Sequence, residues 1–113
     1  MIEFFQTQIA IAAQAGIHRE QIILDPGMGA FVSGDPKYSV ELLKRLREFE
    51  ELGCPILVGA SRKGFIQQLE AGGGPQDRLE GSLAAATMAL LNGAHIVRVH
   101  DVKETRRTMN IAA

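Results

Sequence analysis

The sequence predicts an α/β fold: about three parallel βα units behind a leading helix, together forming part of a (β/α)8 barrel. Two observations carry this expectation. Gly16, Gly53 and Gly93 close three similar helix-to-strand joins, spaced 37 and then 40 residues apart. An apolar run follows each join and ends in polar side chains: Asp25 in the first, Ser61-Arg62-Lys63 in the second, Arg98 with His100 in the third. The spacing is that of strand, loop, helix and loop taken together, and neighbouring parallel strands need such a crossover.

Each element has its own signal. Residues 1–15 read as a helix without a preceding strand. Glycine just past a helix takes the left-handed conformation without a Cβ penalty, so Gly16 stops this helix and turns the chain into Ile22-Ile23-Leu24. Asp35-Pro36 supplies an N-cap with proline in the first turn, after which Leu42, Leu43, Leu46 and Phe49 recur at helical spacing. Glu41/Arg45, Lys44/Glu48 and Arg47/Glu51 form i,i+4 pairs on the wet face of that helix, each worth about 0.2–0.5 kcal/mol. Pro55-Ile56-Leu57-Val58 is the second strand, and a further helix begins near Phe65. The glycine-rich stretch at 71–78 lacks the Walker A and GxGxxG patterns and reads as a flexible connection. Residues 82–91 form an alanine-rich helix suited to close packing on a sheet. His95-Ile96-Val97-Arg98-Val99 is the third strand, and Asp101 to Glu104 is a capping box for a last helix through Met109. Three strands are few for a doubly wound sheet, and a closed barrel has eight in about 250 residues. A partial barrel leaves sheet edges that need a partner.

The bulk numbers exclude several classes. At 113 residues the chain is one domain, able to bury roughly two thirds of its unfolded surface. Hydrophobic content of 46% and charged content of 22% are those of a soluble globular chain. A formal net charge of −1 gives no nucleic-acid or membrane signal, so any anion site is local. The single Cys54 excludes an internal disulfide framework and fits a reducing compartment, as a small buried apolar residue. The first residues lack the basic start of a signal peptide, and Gln6, Gln8 and Gln14 interrupt the apolar stretch too often for a membrane span. A cytoplasmic protein is expected.

In parallel α/β folds the loops after the strands gather at one face, which carries the site. Asp25 precedes Pro26-Gly27-Met28-Gly29. Its carboxylate could accept two parallel N–H donors from a flat heterocycle, with Gly27 and Gly29 letting a ring approach the backbone; alternatively it caps its own turn. Ser61 and Lys63 share a face by strand alternation, while Arg62 points to the other side or into the following loop; a solvated basic turn is the competing reading. Arg98 and His100 share a face with Ile96, leaving Val97 and Val99 toward the helices. An anionic substrate would satisfy that Arg and His, although Asp101 could instead hold His100. His18, in a connecting turn, and His95, at a strand entrance, read as structural. With no HExxH and no CxxC, no protein-built metal site is indicated.

Taken together, Asp25-Pro26-Gly27-Met28-Gly29, Leu57-Val58-Gly59-Ala60-Ser61-Arg62-Lys63 and Ile96-Val97-Arg98-Val99-His100-Asp101-Val102 resemble dihydropteroate synthase, in the order and spacing of its C-terminal part and over nearly the whole chain. The resemblance implies a pterin-binding (β/α)8 TIM barrel, with residues 1–113 as its C-terminal portion and these strands as its sixth, seventh and eighth. It implies condensation of 6-hydroxymethyl-7,8-dihydropterin pyrophosphate with p-aminobenzoate, releasing pyrophosphate, in folate biosynthesis. Asp25 would then bind the pterin's amino group and ring N–H beside Gly29, and Lys63 would contact the pterin, these two being the catalytic candidates. Ser61 and Arg62 would face p-aminobenzoate or the sulfonamides that mimic it, and Arg98 with His100 the departing pyrophosphate. Mg2+ would come bound with the pyrophosphate, and a homodimer would form through the last helices. Two departures stand out. Ala30 occupies the place of the family's usual Phe, with Phe31 after it, and the family's N-terminal Asn-Val-Thr-Pro-Asp-Ser-Phe loop, with its magnesium-linked Asn, is not in this sequence. Catalysis by the chain alone would therefore be incomplete, with an N-terminal half as a possible partner. The alternatives are a catalytically silent truncated homologue serving dimerisation or pterin binding, and a folate-dependent methyltransferase-type barrel. The second has no pyrophosphate for Arg98 and His100 to hold.

Overall fold

A computed structural model describes residues 1–29, 34–61, 63, 66 and 78–113. Helix α1 spans Ile2–Gln14 and buries Phe5 and Ile9, one face of a 3.6-residue period. It ends as expected: Gly16 has φ 87, and Gly53 and Gly93 at the two later joins have φ 72 and 112. A single 3-10 turn, Arg19–Gln21, then leads toward the sheet, with the His18 backbone N–H donating to Gln21 Oε1 at 2.9 Å.

The sheet is parallel and follows chain order. Strand β1, Leu57–Val58, pairs with β2, Ile96–Val97, with Leu57 opposite Ile96 and Val58 opposite Val97. On the other side of β1, Leu24 forms one isolated parallel bridge with Ile56. The expected strand at residues 22–24 is thus reduced to a single rung. Leu24 donates to Pro55 O at 2.9 Å and accepts from Leu57 N at 2.8 Å, and there the ladder stops. Pro55 has no N–H to return at one end, and at the other Asp25 turns the chain by accepting from Gly27 N at 2.9 Å.

Helix α2 spans Pro36–Lys44, with the Asp35 side chain capping Lys37 N at 3.0 Å and Pro36 at its start. The expected continuation through Phe49 is instead a 3-10 segment, Leu46–Leu52. Its buried residues, Leu46, Phe49 and Leu52, lie three apart, which suits three residues per turn better than 3.6. The ion pairs move with the geometry. Arg45 joins Glu48 and Arg47 joins Glu50 at i,i+3, in place of the expected i,i+4 partners. These exposed pairs contribute little.

Helix α3, Leu79–Leu91, starts three residues earlier than expected and buries Ser82, Ala85, Ala86 and Ala89. Helix α4, Val102–Ala112, packs on α3 and extends past Met109. Asp101 sits at its N-cap, but the capping box does not form: no side-chain cap bond is made there. Asp101 has ψ 74, whereas Asp35, whose cap does form, is extended at ψ 119.

One core joins these elements. Leu24, Ile56, Val58 and Ala60 point into it from the sheet, meeting Leu43, Leu46, Phe49, Ala85 and Ala89, while the Phe5 and Phe49 rings meet edge-on at 5.8 Å. Cys54 is buried there, in keeping with its reading as a small apolar residue. The alternate strand positions face away, and Ile23 and Ile96 are left exposed. No helix among the described residues is long and apolar enough to cross a membrane.

Candidate functional site

Strand alternation and register place the candidate residues on that second face. Leu24, Ile56 and Val97 belong to the core layer, so Asp25, Ser61, Arg98 and His100 fall on the opposite side, at the carboxyl ends of the strands. Gly59, Ser61, Lys63, Arg98, Val99 and His100 line one cavity there of about 220 Å3. Larger hollows lie beside α1. One, of about 350 Å3, runs along Tyr38, Leu42 and Phe49; the other, of about 370 Å3, along Ile9, Ala13 and Leu52. Neither gathers groups from more than one strand end, so the smaller cavity is the better candidate.

The geometry inside the cavity is specific. Ser61 Oγ accepts from His100 N at 3.1 Å and lies 3.0 Å from His100 Nδ1. His100 is thus held by Ser61, although Asp101 is its neighbour in sequence. The Arg98 backbone N–H donates to Val58 O at 2.9 Å, and its guanidinium lies against Gly59, where a Cβ would come within 2.8 Å of Nη2. Lys63 Nζ lies 3.5 Å from Met28 O. Asp25 is exposed and makes the Asx turn through Oδ1, so one of its two readings is present in the fold. That turn leaves room for the other, because a carboxylate has about four lone-pair sites. Gly27 and Gly29 adopt φ 79 and 63, conformations that favour glycine. Arg62, Ala30 and Phe31 fall outside the described residues, as do the helix start at Phe65 and the glycines at 72–74.

Two contributions escaped the motif reading. Ser39 of α2 is fully buried and accepts from Gly29 N at 2.9 Å, pinning the end of the Asp25 loop to the helix that follows it. The signal was a serine on the apolar stripe of α2, three and four residues before Leu42 and Leu43. His95, read as structural, accepts from Ile56 N through Nδ1 at 3.1 Å and so closes the entrance of β1.

Lys63 is the perturbed group of this site. Burial pushes its pKa below the ordinary lysine value of 10.5; the positive charge of Arg98 adds to the depression, and Asp25 opposes it. The folded state therefore binds this proton less tightly than the unfolded chain does. Stability carried by Lys63 rises with pH through the window between its folded pKa and 10.5, and is flat below that window. Denaturant titrations of wild type and Lys63→Met across pH 7 to 11 check this. The stability of wild type relative to the variant is expected to rise toward high pH, and a fall would contradict the assignment. An anion bound beside Lys63 would reverse the shift. Among the described residues, no three His, Cys, Asp or Glu side chains come together as a metal site.

The chain is similar to known proteins over nearly its whole length. The family model described as pterin binding enzyme covers residues 1–100. The dihydropteroate synthase of Escherichia coli (strain K12) is 51% identical over 108 residues, which are 96% of this chain and 37% of that protein. That of Synechocystis sp. is 40% identical over 112 residues, 99% of this chain and 38% of the other. Among solved structures, a dihydropteroate synthase from Coxiella burnetii in complex with pteroic acid superposes with a TM-score of 0.92 at 38% identity, over 99% of this chain and 40% of that one. Yersinia pestis dihydropteroate synthase in a sulfonamide drug complex superposes with a TM-score of 0.89 at 42% identity, over 97% and 39%. The chain spans about two fifths of the length of these relatives.

Proposed function

Because the chain belongs to the pterin-binding enzyme family, we propose that it carries the C-terminal part of a dihydropteroate synthase site, built on the last three βα units of a TIM barrel. One observation carries the reading: a hydroxyl, an amine, a guanidinium and an imidazole from two strand ends line one cavity on the face opposite the core, with the Asp25 carboxylate of a third strand end close enough to act on Lys63. The pairing of opposite charges fits a substrate that is an electron-rich heterocycle at one end and a diphosphate at the other. Asp25 accepts the pterin's amino group and ring N–H, with Gly29 beneath the ring and Lys63 beside it. Arg98 and His100 hold the diphosphate. The C–O bond to the diphosphate breaks and the electron pair leaves with it. The arylamine of p-aminobenzoate then bonds to the exocyclic carbon and loses a proton. Cations at the leaving group and a carboxylate at the ring both favour that separation of charge.

The p-aminobenzoate or sulfonamide side falls at Ser61 and Arg62 in this reading; that sulfonamides bind at all is supported by the relative solved in a sulfonamide drug complex. Magnesium is proposed as a companion of the diphosphate, and no step here passes through it. Association of copies through the last helices is supported by the exposed Val102 and Ile111 on α4, and a cytoplasmic location by the soluble folate-pathway chemistry. The folate-dependent methyltransferase reading finds less support, since methyl transfer has no diphosphate for Arg98 and His100.

Dihydropteroate formation decides between enzyme and silent module. The isolated chain is expected to give little product with both substrates, and to gain activity when the N-terminal half of a relative's barrel is supplied. No product in either case would favour the silent module.

A further inference from the structure

The pairing of β1 with β2 has a constant offset of 39 residues, Leu57 to Ile96 and Val58 to Val97. The same offset, carried past the last rung, sets Gly59 opposite Arg98 and Ser61 opposite His100. Both contacts are present: the guanidinium lies against Gly59, and Ser61 Oγ meets the backbone and ring of His100. We infer that Gly59 and Ser61 are positioning residues, a template on one strand end that orients the two anion-holding side chains of the next. This rests on the reading of Arg98 and His100 as a diphosphate site.

The two template positions act in opposite ways. Gly59 works by what it lacks. It is not among the glycines with positive φ, so its backbone does not require glycine. A Cβ there would stand 2.8 Å from Arg98 Nη2, 3.0 Å from Nε and 3.2 Å from Cζ, all too close. The atoms in conflict belong to the far end of a flexible side chain, so Gly59→Ala displaces the guanidinium and leaves the strand in place. Ser61 works by its hydroxyl. Oγ accepts the His100 backbone N–H, and its own proton is available to His100 Nδ1. The neutral ring then keeps its proton on Nε2. When the ring is charged, Nδ1 donates back to Oγ and Nε2 still carries a proton. In both charge states Nε2 is a donor, as an anion requires.

The test combines a ligand-free readout with a titration of inorganic diphosphate on the full chain. Nitrogen-15 spectra of Arg98 Nε and the His100 ring are recorded for wild type, Gly59→Ala, Ser61→Ala and Ser61→Thr. Gly59→Ala is expected to shift Arg98 Nε. Ser61→Ala is expected to turn a predominantly Nε2–H neutral ring into a tautomer mixture, and Ser61→Thr to restore it. Calorimetric titration is expected to show about a tenfold loss of diphosphate affinity in Gly59→Ala, and no further loss when the same change is made in an Arg98→Ala background. Unchanged Arg98 and His100 signals in the variants would overturn the template, as would an equal loss in both backgrounds. A wild type that fails to bind diphosphate, with the spectral changes intact, would instead remove the anion reading on which the proposal rests.

Discussion

Asp25→Asn is expected to weaken binding of a pterin pyrophosphate analogue by about 100-fold while leaving the fold undisturbed. Asparagine keeps an oxygen for the Gly27 N–H and supports the same turn, so the Asx geometry at the end of the first strand survives. What is lost is the charge and one acceptor, replaced by an NH2 that opposes the donors of the ligand. Hydrogen bonds to a charged group contribute about 1.5–3 kcal/mol each. Losing one and setting donor against donor at the other comes to roughly 3 kcal/mol, or about two orders of magnitude in affinity. The variant therefore separates the two readings of Asp25. Calorimetric titration alongside a thermal melt checks it: equal affinities would remove Asp25 from the pterin site, and an equal loss of stability would make its role structural. A second consequence follows for Lys63. Asp25 opposes the depression of its pKa, so neutralising the carboxylate lowers that pKa further.

Much of the fold was legible because it depends on local chemistry. Gly16, Gly53 and Gly93 end their helices in the left-handed region as the chain requires, and the elements between them fall in the expected order. The departures arise where two periods compete. Leu43, Leu46, Phe49 and Leu52 satisfy a three-residue repeat, yet the first members also satisfy an α-helical one, and burial of Leu52 settles the choice for 3-10 geometry. The first strand was overestimated for a different reason. Apolar composition at residues 22–24 marks burial of Leu24, but a ladder also needs N–H groups on its neighbour, and Pro55 supplies none.

The site was legible as a set of strand ends and illegible as a set of contacts. Alternation alone paired Ser61 with Lys63 on one strand end and Arg98 with His100 on another; the cavity that the two pairs share appears only once the strands are in register. Alternation carries no register. That Ser61 meets His100 and Gly59 meets Arg98 depends on the 39-residue offset between strands, which packing of the intervening helix sets. Ser39 was invisible for the same reason: its bond to Gly29 N links two elements whose separation the chain does not advertise.

Ile56→Ala is expected to cost about 3–4 kcal/mol, a large share of the roughly 5–15 kcal/mol that holds a domain together. Ile56 is 1% exposed and stands at the centre of the sheet. Its backbone bridges Leu24 on one side, its carbonyl accepts from His95 N at 2.9 Å and Ile96 N at 3.2 Å on the other, and its N–H donates to the His95 ring. The substitution keeps those backbone bonds but opens a cavity beneath them, between the sheet and the helices. Ile23→Ala is the control, since Ile23 is 54% exposed on the face opposite the core and its truncation is expected to cost about 0.5 kcal/mol or less. Denaturant melts at constant m-value compare the two, and similar costs would show that this layer is not the core. The functional consequence is larger than the stability change alone. Strand β1 carries Gly59 and Ser61 at its end, and both face partners on β2. Loosening the middle strand therefore shifts the support of Arg98 and His100 together, so diphosphate affinity falls in Ile56→Ala even under conditions where the variant remains folded.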